Sequence, residues 1–418
     1  MSSTTITASY TIIPNEPTPN SPLILSGSDQ VVYRSHVSTI YVYKENPTTS
    51  ERMRESLSKI LVHYYPIAGR IRWAEGGRIE LNCNAKGVMF LEAQSTKSLA
   101  QLGDLAPTND DTLKYEFVHK IDYTQPLEEI PLLIVQLTKL FQHGVVIGIS
   151  FCHILGDGLA AISFINSWAK QCRNETLLDQ EIPFLDRTVL DSSTLPRFNH
   201  PGLMPLPLLL NTTDAMAETK MQTTASVLKL TTEQVEKLKK IANYNNEVLC
   251  FSTYEVVSAH IWRCACKARG LDDVQPTVIR LVGDIRNRIN PPLPQNYFGN
   301  ALVVALTPLC YVKDVVNEPL SYGAGKIREA IRLVSNPEYI RSHLDFIRCQ
   351  ESLDFIRTSI VENGKTKAAK FYGNPNMHIT SWLNPDPCIY YALSLSSLDA
   401  YFPNTISMFL LFHCVRHL

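Results

Sequence analysis

A chain of 418 residues exceeds the usual size of one domain, so we expect two domains, each with its own hydrophobic core. Apolar residues make up 45% of the composition and charged residues 19%, which is typical of a folded globular protein and argues against extensive disorder. The formal net charge is -1, and like charges do not form long runs. These features exclude the basic surface of a nucleic-acid-binding protein and a polybasic membrane anchor.

The N-terminal residues and the cysteines indicate the cellular compartment of the protein. Residues 1–20 are polar and contain proline, and they lack the basic start and the apolar run of a secretory signal. No apolar run reaches the roughly 18 residues that suggest a membrane span. The ten cysteines are scattered without a CxxC pair or zinc-type spacing, so we predict reduced thiols and no metal site. We therefore expect a cytoplasmic monomer whose partners are small molecules, with neither a nucleic acid nor a membrane among them.

The first half of the chain alternates between strand and helix patterns. Residues 31–43 are β-branched and aromatic, which predicts a strand. Thr48 and Glu51 then have the spacing of a capping box, which predicts a helix that ends near Tyr65 because Pro66 stops it.

Two apolar runs in the middle of this half predict a buried β-hairpin. They cover residues 132–140 and 145–151 and are joined by a short polar turn. The apolar spacing after Gly158 predicts a helix. His153 therefore lies at a predicted junction between a strand and a helix.

The hydrophobic periodicity fails between about residues 171 and 223, where prolines accumulate. Such a stretch is typical of a connection between domains. We therefore predict a first domain over residues 1–180, a crossover over 181–222 and a second domain over 223–418.

Capping signals predict two helices in the second domain. Thr231 with Gln234 begins one, and Ser252 with Glu255 begins another that ends before Gly270. The second domain is thus also expected to mix helices and strands, which gives an α/β fold class for the whole chain.

The candidate catalytic residues lie at the junction after the hairpin. They are His153 and Asp157, and Gly158 follows directly after Asp157. A histidine can act as a general base, and a nearby carboxylate can hold its loop or its ring. The spacing H-x-x-x-D is weak by itself, and a satisfied core histidine with a helix-capping aspartate would explain it equally well. No G-x-S-x-G, H-E-x-x-H, G-x-G-x-x-G or Walker motif is present, so hydrolase, zinc-peptidase and nucleotide-binding functions lack their own signals.

A set of ordered motifs makes the interpretation specific, because HILGDG resembles the HxxxDG motif of the BAHD acyltransferases. The other motifs that resemble this family, in order, are YPIAGR at 65–70, STYEVVSAHIWRCACKARG at 252–270, DIRNRINPPLPQNYFGN at 284–300 and TSW at 380–382. The resemblance implies two similar chloramphenicol-acetyltransferase-like domains, each a mixed sheet flanked by helices, joined by a long crossover. It also implies that an acyl-CoA is the co-substrate and that neither a metal nor a permanently bound cofactor is needed.

The resemblance assigns roles to individual residues. His153 corresponds to the general base, which takes a proton from the acceptor as the acceptor attacks the thioester. Asp157 corresponds to a structural aspartate that pairs with the arginine matched by Arg286 and, with Gly158, holds the shape of the loop.

The resemblance also places two residues near the acyl group. Thr380 and Trp382 correspond to residues beside the developing oxyanion, where a hydroxyl or indole donor stabilises the tetrahedral state. After Trp382 the family continues through the motif Asp-Phe-Gly-Trp-Gly, whereas this chain reads LNPDPC at 383–388. A catalytically inactive isoform is therefore an alternative to an active acyltransferase.

The N-terminal segment 17–30 is similar to that of family members described as spermidine hydroxycinnamoyl transferases. This similarity predicts a hydroxycinnamoyl-CoA donor and an amine acceptor such as spermidine. Shikimate, quinate or ω-hydroxy acid acceptors are the alternative, although Lys367 stands where shikimate- and quinate-type members carry an arginine. Peptide-synthetase condensation domains share the architecture, but they usually have a second histidine where Cys152 stands.

Overall fold

The computed structural model describes most of the chain. The described residues are 3–32, 34–46, 48–102, 116–191, 194–210, 223–224, 230–244, 250–353, 356, 360–362, 365–367, 375–380 and 414–415. The chain forms two compact units. The first comprises Met1–Asp191, Leu293–Ala301 and Gln350–Ala368, and the second comprises Ser192–Pro292, Leu302–Cys349 and Ala369–Leu418. Two short segments from the second half of the chain therefore belong to the first unit.

Strands and helices are interspersed along the described residues. The strands are β1 (Thr4–Ile12), β2 (Leu23–Ile24), β3 (His36–Tyr43), β4 (Arg70–Trp73), β5 (Ile79–Asn82), β6 (Val88–Ser95), β7 (Leu133–Lys139), β8 (Val145–Cys152), β9 (Thr223–Thr224), β10 (Pro276–Thr277), β11 (Ile279–Asp284), β12 (Leu302–Leu306), β13 (Cys310–Tyr311), β14 (Ile360–Glu362), β15 (Lys365–Lys367), β16 (Met377–Ile379) and β17 (Cys414–Val415). The helices are α1 (Gly27–Gln30), α2 (Ser50–His63), α3 (Gly158–Cys172), α4 (Thr232–Ala242), α5 (Thr253–Ala268), α6 (Val312–Asn317), α7 (Leu320–Val334) and α8 (Pro337–Arg348).

A five-stranded mixed sheet forms the centre of the first unit, in the order β1-β6-β7-β8-β3. β6 and β7 are parallel, and the other neighbouring pairs are antiparallel. A smaller sheet in the order β2-β5-β4 accompanies it. The helices α2 and α3 pack together and contribute to one apolar core with the large sheet. Buried members of this core include Leu57, Ile60, Ile147, Ile149, Phe164 and Trp168.

The predicted hairpin is confirmed, because β7 and β8 pair antiparallel, with Leu133 opposite Phe151. Its turn contains Gln142 and Gly144 at φ values of 69° and 95°, and the left-handed conformation is most easily adopted by glycine. All eight residues of β8 are buried, which explains why the sequence shows a continuous apolar run rather than an alternating one. The strand thus delivers the chain to His153 from within the core.

The predicted start of α2 is wrong by one residue. Thr49, not Thr48, is the N-cap, and its hydroxyl accepts a hydrogen bond from the Arg52 backbone N–H at 3.2 Å. Only a hydroxyl at the position before Ser50 reaches that N–H, so the adjacent threonine cannot replace it. The helix ends at His63, and a short 3-10 turn that contains Pro66 follows it.

The second unit combines a three-stranded sheet with helices. The sheet has the order β12-β11-β16, in which β11 is antiparallel to β12 and parallel to β16. The capping boxes predicted for α4 and α5 are both confirmed. Trp262 on α5 is fully buried, and its indole N–H donates to Thr277 Oγ1 at 3.1 Å. Both units mix helices with sheets, which confirms the α/β class.

Within the part of the chain that the structure describes, no helix is long and apolar enough to cross a membrane.

Gly148 provides a test of the close packing in the first unit. It lies in the centre of the large sheet, opposite Ile40 and Gln136, and an added Cβ would stand 1.9 Å from the Phe117 carbonyl oxygen. We expect Gly148→Ala to lower the free energy of unfolding by about 1–3 kcal/mol, because a backbone segment must move. The measurement is the midpoint of urea unfolding.

Gly325→Ala is the matched control for this substitution. Gly325 lies inside α7, and an added Cβ there meets no atom within 4 Å. Alanine should stabilise the helix by about 0.5–1 kcal/mol. Equal unfolding midpoints for the two variants would contradict the packing described around Gly148.

The buried His36 side chain should make the protein less stable in acid. Its Nε2 lies 2.8 Å from the Pro131 carbonyl and its Nδ1 lies 2.9 Å from the Tyr123 hydroxyl, and burial lowers its pKa to about 4, only partly offset by the Pro131 hydrogen bond. An unfolded chain, with a histidine pKa near 6.5, binds more protons between these two values. The stability contributed by His36 is therefore complete above about pH 6.5 and falls by up to about 3 kcal/mol as the pH decreases to about 4.

The test compares His36→Gln with His143→Gln, a change at an exposed histidine. Urea unfolding midpoints at pH 7 and pH 4.5 should differ less for His36→Gln than for the wild-type protein. The His143 variant should match the wild-type protein. An unchanged pH dependence in His36→Gln would show that this histidine contributes nothing to the acid sensitivity.

Candidate functional site

His153 lies directly after β8, at the predicted junction with α3, and it is partly buried. Its backbone N–H donates to the Ser35 carbonyl at 3.0 Å, which continues the pairing of β8 with the chain before β3. Leu155 N–H donates to the Cys152 carbonyl at 3.0 Å, so the chain turns immediately after His153. The turn holds the His153 backbone while part of its side chain stays accessible.

Asp157 is the N-cap of α3 and is 5% exposed. Its Oδ1 accepts from the Ala160 backbone N–H at 3.1 Å, which is the usual role of an aspartate at this position. Its Oδ2 accepts from the Ala301 backbone N–H at 3.0 Å. Asp157 therefore connects the start of α3 to the segment Leu293–Ala301, and these contacts support a structural role.

The glycines of the HILGDG segment have different surroundings. Gly158 is the first residue of α3. An added Cβ at Gly156 would stand 2.5 Å from the Ala160 Cβ, so the turn leaves no room for a side chain there. The predicted loop role of Gly158 stays a prediction, and the structure adds Gly156 as a second constrained position.

Asn300 contacts His153 through both polar atoms of its side-chain amide. Its Oδ1 lies 3.1 Å from His153 Nδ1, and its Nδ2 donates to the His153 carbonyl at 2.9 Å. Nδ2 also donates to Asp29 Oδ1 at 2.8 Å. With both Nδ2 hydrogens directed at oxygens, the amide presents its carbonyl oxygen to the imidazole. In the neutral ring the proton therefore lies on Nδ1, and Nε2 carries the lone pair.

Asp29, which binds Asn300, also forms a buried ion pair with Arg187. Asp29 Oδ1 lies 2.7 Å from Arg187 Nη1, and the two side chains are 0% and 1% exposed. The other Asp29 oxygen accepts from the Ser26 backbone N–H at 2.9 Å and from its hydroxyl at 2.6 Å. Burial is the largest single effect and disfavours the charged form of Arg187. The charge and hydrogen bond of Asp29, together with the charges of Tyr297 and Asp157, outweigh it, so the pKa of Arg187 is raised.

The segment that carries Asn300 is fixed by the core of the first unit. Phe298 is buried, and its ring centroid lies 5.0 Å from that of Tyr64 and 6.3 Å from that of Phe151. Its backbone N–H donates to the Phe184 carbonyl at 3.0 Å. These contacts hold the segment Leu293–Ala301 against the first unit although 140 residues separate it from His153 along the chain.

The other predicted site residues belong to the second unit or lie outside the described residues. Arg286 follows β11 in the second unit and its Nη1 binds Asp284 Oδ1 at 2.6 Å. Thr380 follows β16 and is exposed. Trp382 lies outside the described residues. The predicted pairing of Asp157 with Arg286 and the predicted oxyanion contacts stay predictions.

Sequence reasoning missed Asp29, Arg187 and Asn300. Asn300 ends a motif that was recognised, but its contact with His153 has no signal in sequence spacing. Asp29 was seen only as part of the N-terminal segment, and Arg187 lies in the proline-rich stretch. Within the described parts of the chain, no group of three or more histidine, cysteine, aspartate or glutamate side chains could hold a metal ion.

The arrangement around His153 is suited to proton transfer. Nδ1 is committed to Asn300, which leaves Nε2 to accept a proton from a bound nucleophile.

Comparisons with known proteins identify the family of this chain. The family model described as "Transferase family" matches residues 2–387. The chain is 39% identical to the hydroxycinnamoyl-CoA:piscidic acid hydroxycinnamoyltransferase of Actaea racemosa, covering 90% of this chain and 86% of that protein. It is 34% identical to the shikimate O-hydroxycinnamoyltransferase of Nicotiana tabacum, covering 88% and 83%. It is 33% identical to a hydroxycinnamoyl-CoA:5-hydroxyanthranilate N-hydroxycinnamoyltransferase of Avena sativa, covering 91% and 86%.

A solved structure supports the fold assignment. The crystal structure of F. graminearum TRI101 complexed with coenzyme A and deoxynivalenol matches with a TM-score of 0.67 and 16% identity, covering 87% of this chain and 84% of that chain. At this identity the likeness shows the fold alone. Because the family model and the relatives span most of the chain, the protein belongs to the Transferase family, the plant BAHD acyltransferases that its motifs predict.

Proposed function

We propose that the protein transfers a hydroxycinnamoyl group from coenzyme A to a small acceptor, with His153 as the general base. The observation that carries the proposal is the 3.1 Å contact between His153 Nδ1 and Asn300 Oδ1, which in a neutral ring places the proton on Nδ1 and the lone pair on Nε2. The named relatives use hydroxycinnamoyl-CoA donors, which supports the same donor class here.

The proposed reaction proceeds without a covalent enzyme intermediate. The acceptor nitrogen or oxygen attacks the thioester carbonyl carbon while its proton moves to His153 Nε2. The tetrahedral intermediate then collapses, the carbon–sulfur bond breaks, and the leaving coenzyme A thiolate takes the proton from the imidazolium. In this proposal Thr380 and Trp382 donate hydrogen bonds to the oxyanion, and Asp157 and Gly158 maintain the loop that carries the base.

We assign an amine acceptor, such as spermidine, from the similarity of residues 17–30 to spermidine hydroxycinnamoyl transferases. The N-acylating relative supports an amine as nucleophile. An alkylammonium has a pKa near 10.4, and a free histidine has one near 6.5, so direct proton transfer between them would cost roughly 5 kcal/mol. The amine must therefore bind with its pKa lowered by partial desolvation, and His153 takes the proton as the carbon–nitrogen bond forms.

A hydroxyl group on a carboxylic acid is the second candidate acceptor. Two of the relatives are named for piscidic acid and shikimate, which supports O-acylation of an acid. Such an acceptor would need a cationic side chain to bind its carboxylate. Lys367, at the end of β15, is the residue that the sequence assigns to that position.

His153→Ala tests the base directly. We expect release of coenzyme A thiol from caffeoyl-CoA and spermidine to decrease about 10²–10⁴-fold, because the proton acceptor is lost. The measurement is thiol release at saturating donor, combined with product mass.

His143→Ala is the matched control, since His143 is exposed in the hairpin turn. It should keep the wild-type rate. A His153 variant with wild-type activity would exclude this residue as the base. An inactive wild-type protein that is folded and monodisperse, and is also silent with shikimate, would indicate the inactive isoform.

The pH dependence tests the nature of the acceptor. With spermidine, kcat/KM should increase between pH 6 and pH 9, because the neutral fraction of the amine increases with pH below its pKa. The measurement is a pair of pH–rate profiles with the same donor, one with spermidine and one with shikimate.

The shikimate profile is the control, because its hydroxyl does not titrate in this range. A flat profile with spermidine would contradict the requirement for a neutral amine. An equal increase with both acceptors would assign the titration to the protein instead.

A further inference from the structure

We propose that Asp29 and Arg187, a buried ion pair remote from the reacting atoms, are positioning residues that set the proton on His153 Nδ1. The inference rests on the proposed role of His153 as the base. It assigns to the pair a function in catalysis as well as in folding. The contacts that carry it all lie within the first unit.

The first step of the inference is the orientation of the Asn300 amide. Asp29 Oδ1 accepts both the Asn300 backbone N–H at 2.9 Å and its Nδ2 at 2.8 Å. A flipped amide would place the Asn300 carbonyl oxygen against the Asp29 carboxylate and against the His153 carbonyl. Three oxygens would then face each other without a hydrogen, which is costly in a buried site. Asp29 Oδ1, which can only accept hydrogen bonds here, therefore selects the orientation that presents Asn300 Oδ1 to His153.

The second step is the fixation of the backbone that follows His153. Arg187 Nη2 donates to the Leu155 carbonyl at 2.6 Å, and Nη1 donates to the Ile154 carbonyl at 3.4 Å. Arg187 is 2% exposed and occupies one side of the turn that carries the imidazole. The ion pair thus holds His153 through its side-chain partner, Asn300, and through its own main chain.

The fixed amide determines which nitrogen of the His153 imidazole carries the proton. A carbonyl oxygen accepts hydrogen bonds but cannot donate one, so Asn300 Oδ1 stabilises only a ring that carries hydrogen on Nδ1. Without the fixed amide the neutral ring can also carry its proton on Nε2. In that tautomer Nε2 cannot take a proton from the acceptor. Asp157, the N-cap of the adjacent helix, accepts hydrogen bonds from the Ala160 and Ala301 backbone N–H groups.

The test uses two double variants that both remove the buried charges. D29L/R187M replaces the pair by apolar groups and removes the acceptor of the Asn300 amide. D29N/R187M removes the charges as well, but it keeps a carbonyl oxygen that can accept the two Asn300 N–H groups. Replacing both partners avoids a single unpaired buried charge, which would be strongly destabilising.

The expected result separates positioning from folding. D29L/R187M should lose at least about tenfold in kcat with KM for the donor within about twofold, because the reactive tautomer becomes less populated. D29N/R187M should recover part of that loss, because it restores the acceptor for the Asn300 amide but not the Arg187 contacts with the Ile154 and Leu155 carbonyls. Circular dichroism and urea unfolding midpoints of the two variants establish that they are comparably folded. Wild-type kcat in folded D29L/R187M, or equal losses in both variants, would overturn the positioning role.

A second measurement requires neither activity nor the folding of these variants. Nitrogen NMR of ¹⁵N-histidine-labelled wild-type protein, with His153→Gln to assign the signal, should show hydrogen on Nδ1 and none on Nε2. Hydrogen on Nε2 would overturn the inference. If the Nδ1 tautomer is found but His153→Ala keeps full activity, the proposed base is wrong while the structural assignment of the pair stands.

Discussion

The arrangement around His153 depends on the buried carboxylate of Asp29 and on the contacts that satisfy its charge. A charge taken out of water costs several kcal/mol unless it is paired and hydrogen-bonded. Asp29 meets this requirement with Arg187 and with backbone and side-chain donors of Ser26 and Asn300. Each donor comes from a segment that the folded first unit must bring to the same place. The orientation of the His153 imidazole is therefore a consequence of how the buried charge of Asp29 is satisfied.

The same constraint explains the division of the chain. The segment Leu293–Ala301 lies in the first unit because Phe298 packs in its core, Asn300 binds Asp29, and Ala301 binds Asp157. The loop that carries His153 thus receives contacts from the start, the middle and the later part of the sequence. Such long-range contacts hold a polar side chain more rigidly than neighbouring residues in a loop could. Rigidity of this kind is what the general base that we propose would require.

The sequence predicted the local features of the fold and the identity of the family. The buried hairpin, the helix after Gly158 and the capping boxes of α4 and α5 follow from periodicity and local hydrogen bonding, and each is confirmed. The N-cap of α2 was placed one residue early because two adjacent threonines offer the same signal. Asp29, Arg187 and Asn300 could not be predicted as a group, since their contacts depend on tertiary packing rather than on spacing. His153 was found through its motif, while the reason for its orientation lies in those three residues.

The measurement that tests the account most directly is a competition between acceptors. Purified protein receives one donor, feruloyl-CoA, with equal concentrations of spermidine and shikimate, and mass spectrometry quantifies amide and ester together with released coenzyme A. The account predicts a feruloyl amide of spermidine, with one thiol released per amide. Ester as the sole product would contradict the amine acceptor, and the absence of both products from folded protein would contradict acyl transfer by this site.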